Sequence, residues 1–203
     1  MKRNIRRGTG AAVRYTRLMT AELAVRTDGV VRLRRPRLDD AAAFTTAVLR
    51  SVDHLEPWVS PPRDEAAFHH MVARLGPSYV PSVLEHVEST QLLGAFNLSE
   101  VVRGNFLSAY LGYYAFKPHA GRGFMARGLK LLLAFAFEDL ALHRVEANVQ
   151  PANERSVALA RAAGFEREGF SKGYLYIDGA WRDHERWAMV RDVWLRQTLL
   201  TEG

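Results

Sequence analysis

The residues best suited to chemistry fall in two short stretches. Gly121-Arg122-Gly123 follows a strand-like run and opens onto an apolar run from Leu129 to Phe137. Glycines there let the backbone pass close to a bulky anion, and the unpaired amides of a helix start point towards it. Further on, Asn153 and Ser156 sit three apart at the head of another helical pattern. That spacing brings a carboxamide and a hydroxyl into one first turn, although Asn153 reads equally as an N-cap. A bare Gly-x-Gly before a helix also reads as a plain turn. Two sharper readings fail. A Walker loop ends in Gly-Lys-Ser/Thr, and here Gly123 is followed by Phe124-Met125. Gly121, Gly123 and Ala126, with Glu146 downstream, match a dinucleotide fingerprint. That fingerprint belongs at the first strand-to-helix turn of a parallel sheet, and here it comes after a meander. A nucleotide-like ligand survives; a Rossmann fold does not.

The elements needed to position these groups can be traced along the chain. Val30–Arg37 alternates weakly and predicts a first strand ending at Pro36. Leu38-Asp39-Asp40 before Ala41-Ala42-Ala43-Phe44 is a helix-start signal. Pro57, Pro61 and Pro62 interrupt the chain around Trp58, and a second helix is expected over 64–75. Runs at 79–87, 92–98 and 106–116 have connections too short for a parallel crossover, so they predict an antiparallel meander. A helix to about Leu140, a strand at 143–149 and a helix at 153–163 follow. Strands at 165–177 and 181–190 then hinge at Asp178-Gly179, a strong hairpin signal. The class is α+β, a mixed and mostly antiparallel sheet of about six or seven strands with about four helices.

Composition narrows the rest. The chain has 203 residues, enough for one sizeable core. Its +6 charge is uneven: residues 1–37 hold 11 basic against 2 acidic side chains, the remainder 17 against 20. The basicity belongs to an N-terminal extension, residues 1–28, ahead of one domain at 29–203. A nucleic-acid-binding domain would carry that charge on its fold. The extension reads as a solvated tail or as a transient contact with ribosomal RNA, and Met19 is a second candidate start. Zero cysteines exclude disulfides and thiolate sites. No apolar run reaches the roughly 20 residues of a membrane span. The seven histidines show no metal spacing, so no metal is expected. A cytoplasmic location fits this composition.

At this point the chain becomes recognisable. Leu111-Gly112-Tyr113-Tyr114 and Gly121-Arg122-Gly123-Phe124-Met125 resemble the coenzyme A motif of the GNAT N-acetyltransferases. Ala152-Asn153-Glu154-Arg155-Ser156 and the run Arg161–Gly169 resemble the helix and strand that follow it. Leu55-Glu56-Pro57-Trp58, Val101–Gly104, Tyr174–Gly179 and Trp181-Arg182-Asp183-His184 are similar to the ribosomal-protein alanine N-acetyltransferases of the RimJ/RimL type, RimJ above all. The likeness runs from about Val30 to Val190.

The resemblance implies a GNAT fold whose sheet splays open between the strand ending near Ala115 and the strand at 143–149. It implies acetyl-CoA in that gap, held by Tyr114, Ala115 and Phe116, by the turn from Ala120 through Gly121, Arg122, Gly123, Phe124 and Met125 to Ala126, and by Asn153 and Ser156. Trp58, Asn97 and Tyr176 would bind the acceptor. Some positions depart from the family. Pro118 and Ala120 replace polar loop residues, Ala160 stands where many relatives have a tyrosine general acid, and Leu175 falls where RimL-like enzymes have a glutamate proposed as base. Ser156 then becomes the candidate acid at the sulfur. Glu100 ranks first as base, ahead of His119, Asp183 and His184, each of which also reads as a surface residue.

The expected reaction is direct attack of an amine on the thioester, with a strand amide near Tyr114–Phe116 holding the oxyanion. A protein α-amine, with pKa about 7.7–8.0, is roughly a tenth neutral at pH 7, and lysine only about once in 2,500. A site without a strong base therefore favours a protein N-terminus, such as the N-terminal alanine of a ribosomal protein. Acetylation of a small-molecule amine and a non-catalytic ribosome-associated module are the alternatives. The resemblance also implies a homodimer.

Overall fold

The computed structural model describes residues 26–201. Its centre is one eight-stranded sheet in the order β1-β2-β3-β4-β5-β6-β8-β7. β1 (Arg26–Thr27) and β2 (Val31–Arg34) form one edge. β3 (Tyr79–His86), β4 (Leu92–Val102) and β5 (Ser108–Ala115) make the antiparallel meander. β6 (Arg144–Val149), β7 (Glu166–Ile177) and β8 (Ala180–Val190) complete the sheet, with β7 on the outer edge. Ile177 pairs with Ala180 across Asp178-Gly179, and both turn residues have positive φ, as a tight hairpin requires.

The helices lie on both faces. α1 (Ala41–Leu49), α2 (Val52–Leu55) and α3 (Glu65–Ala73) precede the meander. α4 (Phe124–Ala134) runs on through a π-turn to Asp139. α5 (Glu154–Ala162) separates β6 from β7, and α6 (Arg191–Thr201) follows β8. Asp64 caps α3 by accepting the Ala67 amide at 2.8 Å. β3 and β4 are apolar on both sides because both are covered. Leu84, Phe96 and Leu98 join the α4 core, whereas Val83 and Ala95 join Phe44, Phe68 and Phe116 under α1 and α3. The buried Arg34 guanidinium ties β2 to β3 and to the following turn, with Glu85 at 2.6 Å and Asp40 at 2.7 Å.

Two sequence expectations change. Arg26 and Thr27, expected in the extension, belong to the sheet: β1 pairs with β2, and Arg26 reaches Asp139 at 2.7 Å. Residues 1–25, which hold the rest of that expectation, lie outside the described residues. α2 and α6 had no sequence signal. Four residues are too few to show a helical period, and α6 presents no clear apolar stripe.

The sheet is not continuous in its middle. β5 and β6 run parallel, but only Ser108–Tyr110 pair with Arg144–Glu146. Beyond Tyr110 and Glu146 the two strands diverge, each hydrogen-bonded only to its other neighbour, β4 or β8. A wedge opens there, as the resemblance implied.

Candidate active site

The glycine turn sits at one side of this wedge. The amides of His119 and Ala120 donate to the Phe116 carbonyl at 2.9 and 3.1 Å, closing a turn after Ala115. Gly121 and Gly123 then take φ of +79° and +80°, a region that costs other L-residues about 1–2 kcal/mol. The first helical bond is Arg127 N–H to the Gly123 carbonyl. Among the described residues, none of the amides from Gly121 to Ala126 has an acceptor. A Cβ on Gly121 or Gly123 would meet nothing within 4 Å, so the space above these amides is open. Free donors and the positive end of the helix dipole face that space, a fit for a pyrophosphate.

The strand side follows from register. Phe116 donates its amide to Leu93 at 2.9 Å. Alternation along an antiparallel pair then turns the Tyr114 amide to β4 as well, and the Tyr113 and Ala115 amides into the wedge. Of the oxyanion donors expected over Tyr114–Phe116 only Ala115 remains, joined by Tyr113 one residue before that span. Phe116 is corrected out of the site: it is fully buried against Phe44, with ring centroids 5.4 Å apart.

Two cavities meet inside the wedge. One, of about 320 Å³, is lined by Tyr114, Ala115, Ala120, Gly121, Asn153 and Ser156, together with His54 and Arg155. The second, of about 430 Å³, reaches the other way to Asn97, Glu100, Tyr110, Tyr174 and His184. Trp58, Val59, Tyr113, Asn153 and Ser156 border both. A third opening of about 610 Å³, with Trp58, Asn97 and Tyr176 on its walls, leads outward past Arg63 and Arg74. A long ligand entering from the glycine turn would present its end at Ser156, facing the second cavity.

Local bonding defines what each group can do. Asn153 Oδ1 accepts the Ser156 amide at 3.2 Å, so the carboxamide caps α5 while lining the cavity. The Ser156 carbonyl accepts the Tyr113 hydroxyl at 2.9 Å, and its own hydroxyl has no partner among the described residues. Burial raises Tyr113, against a smaller opposing effect of that bond, so it stays protonated. His54 Nδ1 lies 3.2 Å from Arg155 Nη1, and Gln150 Nε2 donates to the Pro57 carbonyl at 3.3 Å. The His54–Arg155 contact roofs the cofactor side, while Gln150 lines the second cavity. Burial, then Arg155 and Lys117, lower the His54 pKa, so its Nδ1 is free to accept.

The structure does not gather every expected residue. Ala120 lines the cavity, but its amide is already used. Arg122, Gly123 and Ala126 are exposed beyond the cavity wall. Phe124 packs on His86 and His119, and a Cβ at Gly94 would touch Met125 Sδ. Glu100 sits on a bulge of β4 with φ of +48°, solvent-exposed at the rim. Tyr176 is 64% exposed and meets Trp181 edge-on outside the cavity proper. Asp183 points elsewhere, accepting the Gly173 amide at 2.7 Å. Sequence reasoning missed Tyr110, Tyr174, His54 and Arg155; it ranked His184 behind Glu100 as a base and read it as a surface or hairpin residue, whereas it is buried. Register shifts in β7 break the two-residue alternation that would have revealed the hairpin's inward face.

A splayed sheet with free amides at a helix mouth beside the gap defines a class of proteins that bind a pyrophosphate-bearing acyl carrier. Residues 31–166 match the Acetyltransferase (GNAT) domain, and the chain belongs to that family. An Escherichia coli [ribosomal protein uS5]-alanine N-acetyltransferase is 39% identical over 107 residues, 53% of this chain and 55% of that protein. The Bacillus subtilis probable N-acetyltransferase YjcK is 37% identical over 100 residues, 49% of this chain and 55% of that protein. The chain thus spans about half the length of the curated relatives it matches. Mycobacterium smegmatis RimJ, solved with a CoA-disulfide, superposes with a TM-score of 0.76 at 30% identity, covering 87% of this chain and 92% of that one.

Proposed function

We propose that this protein is an acetyl-CoA-dependent N-acetyltransferase acting on a protein N-terminal α-amine, in particular the N-terminal alanine of a ribosomal protein. The observation that carries this reading is the row of unpartnered amides, Gly121 to Ala126, at a helix mouth whose first residue, Gly121, borders the β5–β6 wedge. Acetyl-CoA, when bound, supplies an acetyl group already activated as a thioester. The chain's own residues then have to bind, orient and stabilise.

The helix-mouth amides and Asn153 would hold the carrier, with His54 and Arg155 roofing it. The Tyr113 or Ala115 amide would donate to the developing oxyanion, worth about 3 kcal/mol in comparable sites. Ser156, whose hydroxyl is uncommitted, would donate a proton at the sulfur. Glu100 at the rim would draw in a cationic amine, and Trp58 and Asn97 would wall its path. The name carried by the E. coli relative supports the acceptor assignment. A homodimer, a cytoplasmic location and ribosome contact through the basic residues ahead of Arg26 belong to the same reading.

The test is incubation with acetyl-CoA and purified ribosomal proteins, reading the mass of each intact protein and of its N-terminal peptide. One acetyl group on an N-terminal alanine is the expected result. Acetylation confined to polyamines or amino-sugars in a parallel panel would overturn the acceptor assignment.

A further inference from the structure

Amide formation needs an amine lone pair, yet a protein N-terminus is mostly protonated at pH 7. Tyr174 and Tyr113, in the acceptor cavity, cannot take that proton. Tyr174, 3.4 Å from the Tyr110 hydroxyl, is pushed up to about 12 by that contact first and by burial second. Tyr113 is higher still, through burial. Asp183 is committed to Gly173, and Glu100 is exposed at the rim, on the β4 bulge.

His184 differs from all of these. It lines the cavity and is 1% exposed, held between β6 and β7 on the inward face of β8. Its Nδ1 lies 2.9 Å from the Arg182 carbonyl, and a carbonyl only accepts. Nδ1 must therefore carry the hydrogen, which leaves the Nε2 lone pair unused. The Tyr174 ring meets the imidazole edge-on, centroids 5.9 Å apart, and fixes its plane.

We propose that His184 is the general base of the transfer, accepting the acceptor amine's proton at Nε2 directly or through one water. This rests on the acetyltransferase reading above. One N–H proton passes from the ammonium to Nε2, giving an imidazolium. The freed lone pair forms the N–C bond while the C–S bond breaks, and its electron pair leaves on sulfur. The second N–H proton ends on that sulfur, and the imidazolium returns its proton to solvent. The charged or titratable groups around the ring are Tyr174 in contact on β7, Asp183 next to it in the chain, and Tyr110 on β5 and Glu100 on β4 in the same cavity wall. Burial is the largest influence on the ring and lowers its pKa, partly offset by the Arg182 carbonyl and by Asp183. The imidazole is thus neutral and ready at pH 7.

The experiment compares His184→Gln with the unaltered protein on two acceptors: an alanine-first peptide, and the same peptide with an aminooxy group replacing the α-amine. The aminooxy nitrogen is already neutral at pH 7 and needs no base. Glutamine is close to the imidazole in length and polarity but has no basic nitrogen. The expected result is a loss in kcat of about 100-fold on the amine, a far smaller loss on the aminooxy peptide, and unchanged coenzyme A affinity in a calorimeter. If the variant fails to bind coenzyme A, His184→Asn is used in its place. Nitrogen NMR of the unaltered protein without coenzyme A should show Nδ1 protonated and the Nε2 signal moving when the peptide is added. Equal losses on the two acceptors, or a protonated Nε2, would overturn the proposal. If the unaltered protein acetylates neither acceptor while the Nε2 signal still responds to peptide, the acetyltransferase reading fails and takes the base role with it.

Discussion

Asn97 on β4 lies directly opposite Gly112 on β5, so close that a Cβ on Gly112 would fall 2.6 Å from Asn97 Oδ1. The missing side chain gives the carboxamide its place in the wall shared by the second and third cavities. Gly112→Ala should push Asn97 out of its rotamer, at a cost of about 0.5–1.5 kcal/mol. Because Asn97 borders the acceptor path and not the glycine turn, the penalty should appear as a rise in acceptor KM of about two- to tenfold. Coenzyme A affinity should stay the same. Steady-state kinetics with a peptide acceptor, beside calorimetry with coenzyme A, checks both halves.

Asn153 and Ser156 separate a structural role from a chemical one within a single turn. The Asn153 side chain caps α5, so Asn153→Ala should cost about 1 kcal/mol and lower the thermal midpoint. The Ser156 hydroxyl bonds nothing among the described residues, so Ser156→Ala should change stability by less than about 0.5 kcal/mol. If Ser156 delivers a proton to sulfur, the same change should lower kcat by about 100-fold. Urea midpoints and turnover measured on the two variants should therefore rank in opposite orders. Equal turnover for Ser156→Ala and the unaltered protein would remove Ser156 from the chemistry.

Much of the frame was legible because the signals were local. Gly121 and Gly123 need left-handed backbone, Asp178-Gly179 makes a two-residue turn, and short connectors force the meander antiparallel. The wedge itself is non-local. Nothing in Leu111–Ala115 states that pairing with β6 stops at Tyr110; family resemblance supplied that, and the register bears it out. Side-chain direction was the least legible. The amide of Phe116 is claimed by Leu93, and His184 turns inward on a strand whose partner slips register twice. The cofactor side was read from contiguous motifs. The acceptor side draws on β4, β5, β6, β7 and β8 and leaves no contiguous trace.

Acid should weaken the fold in a window set by histidines. His54, His119 and His184 all have lowered pKa values, burial being the first cause in each; Arg155 and Lys117 add to it at His54, and Arg122 and His86 at His119. In the unfolded chain each takes its proton near the ordinary value of about 6.5. Between that value and the lower folded value the unfolded state binds more protons, so stability falls as pH falls. Above the unfolded value the folded state suffers no penalty. The urea midpoint should hold on the alkaline side of this window and drop as acid takes the pH through and below about 6.5. His54→Gln should flatten part of the drop. Carboxylates held low by partners, such as Asp40 beside Arg34, act only in a more acidic window.

The sharpest check of the helix mouth uses glycines as matched controls. Gly123 has φ of +80° at the N-cap of α4, and Gly104 has φ of +75° in the β4–β5 loop. A Cβ on either meets nothing within 4 Å, so alanine costs both the same kind of backbone strain, about 1–2 kcal/mol. Only at Gly123 does the new methyl stand in the open space over the unpartnered amides. Gly123→Ala and Gly104→Ala should therefore lose similar stability in a urea titration. Coenzyme A affinity should fall about tenfold for Gly123→Ala, matching a loss of about 1.4 kcal/mol, and hold for Gly104→Ala. If calorimetry shows both variants binding as the unaltered protein does, these amides do not hold the pyrophosphate, and the main support for the proposed activity is gone.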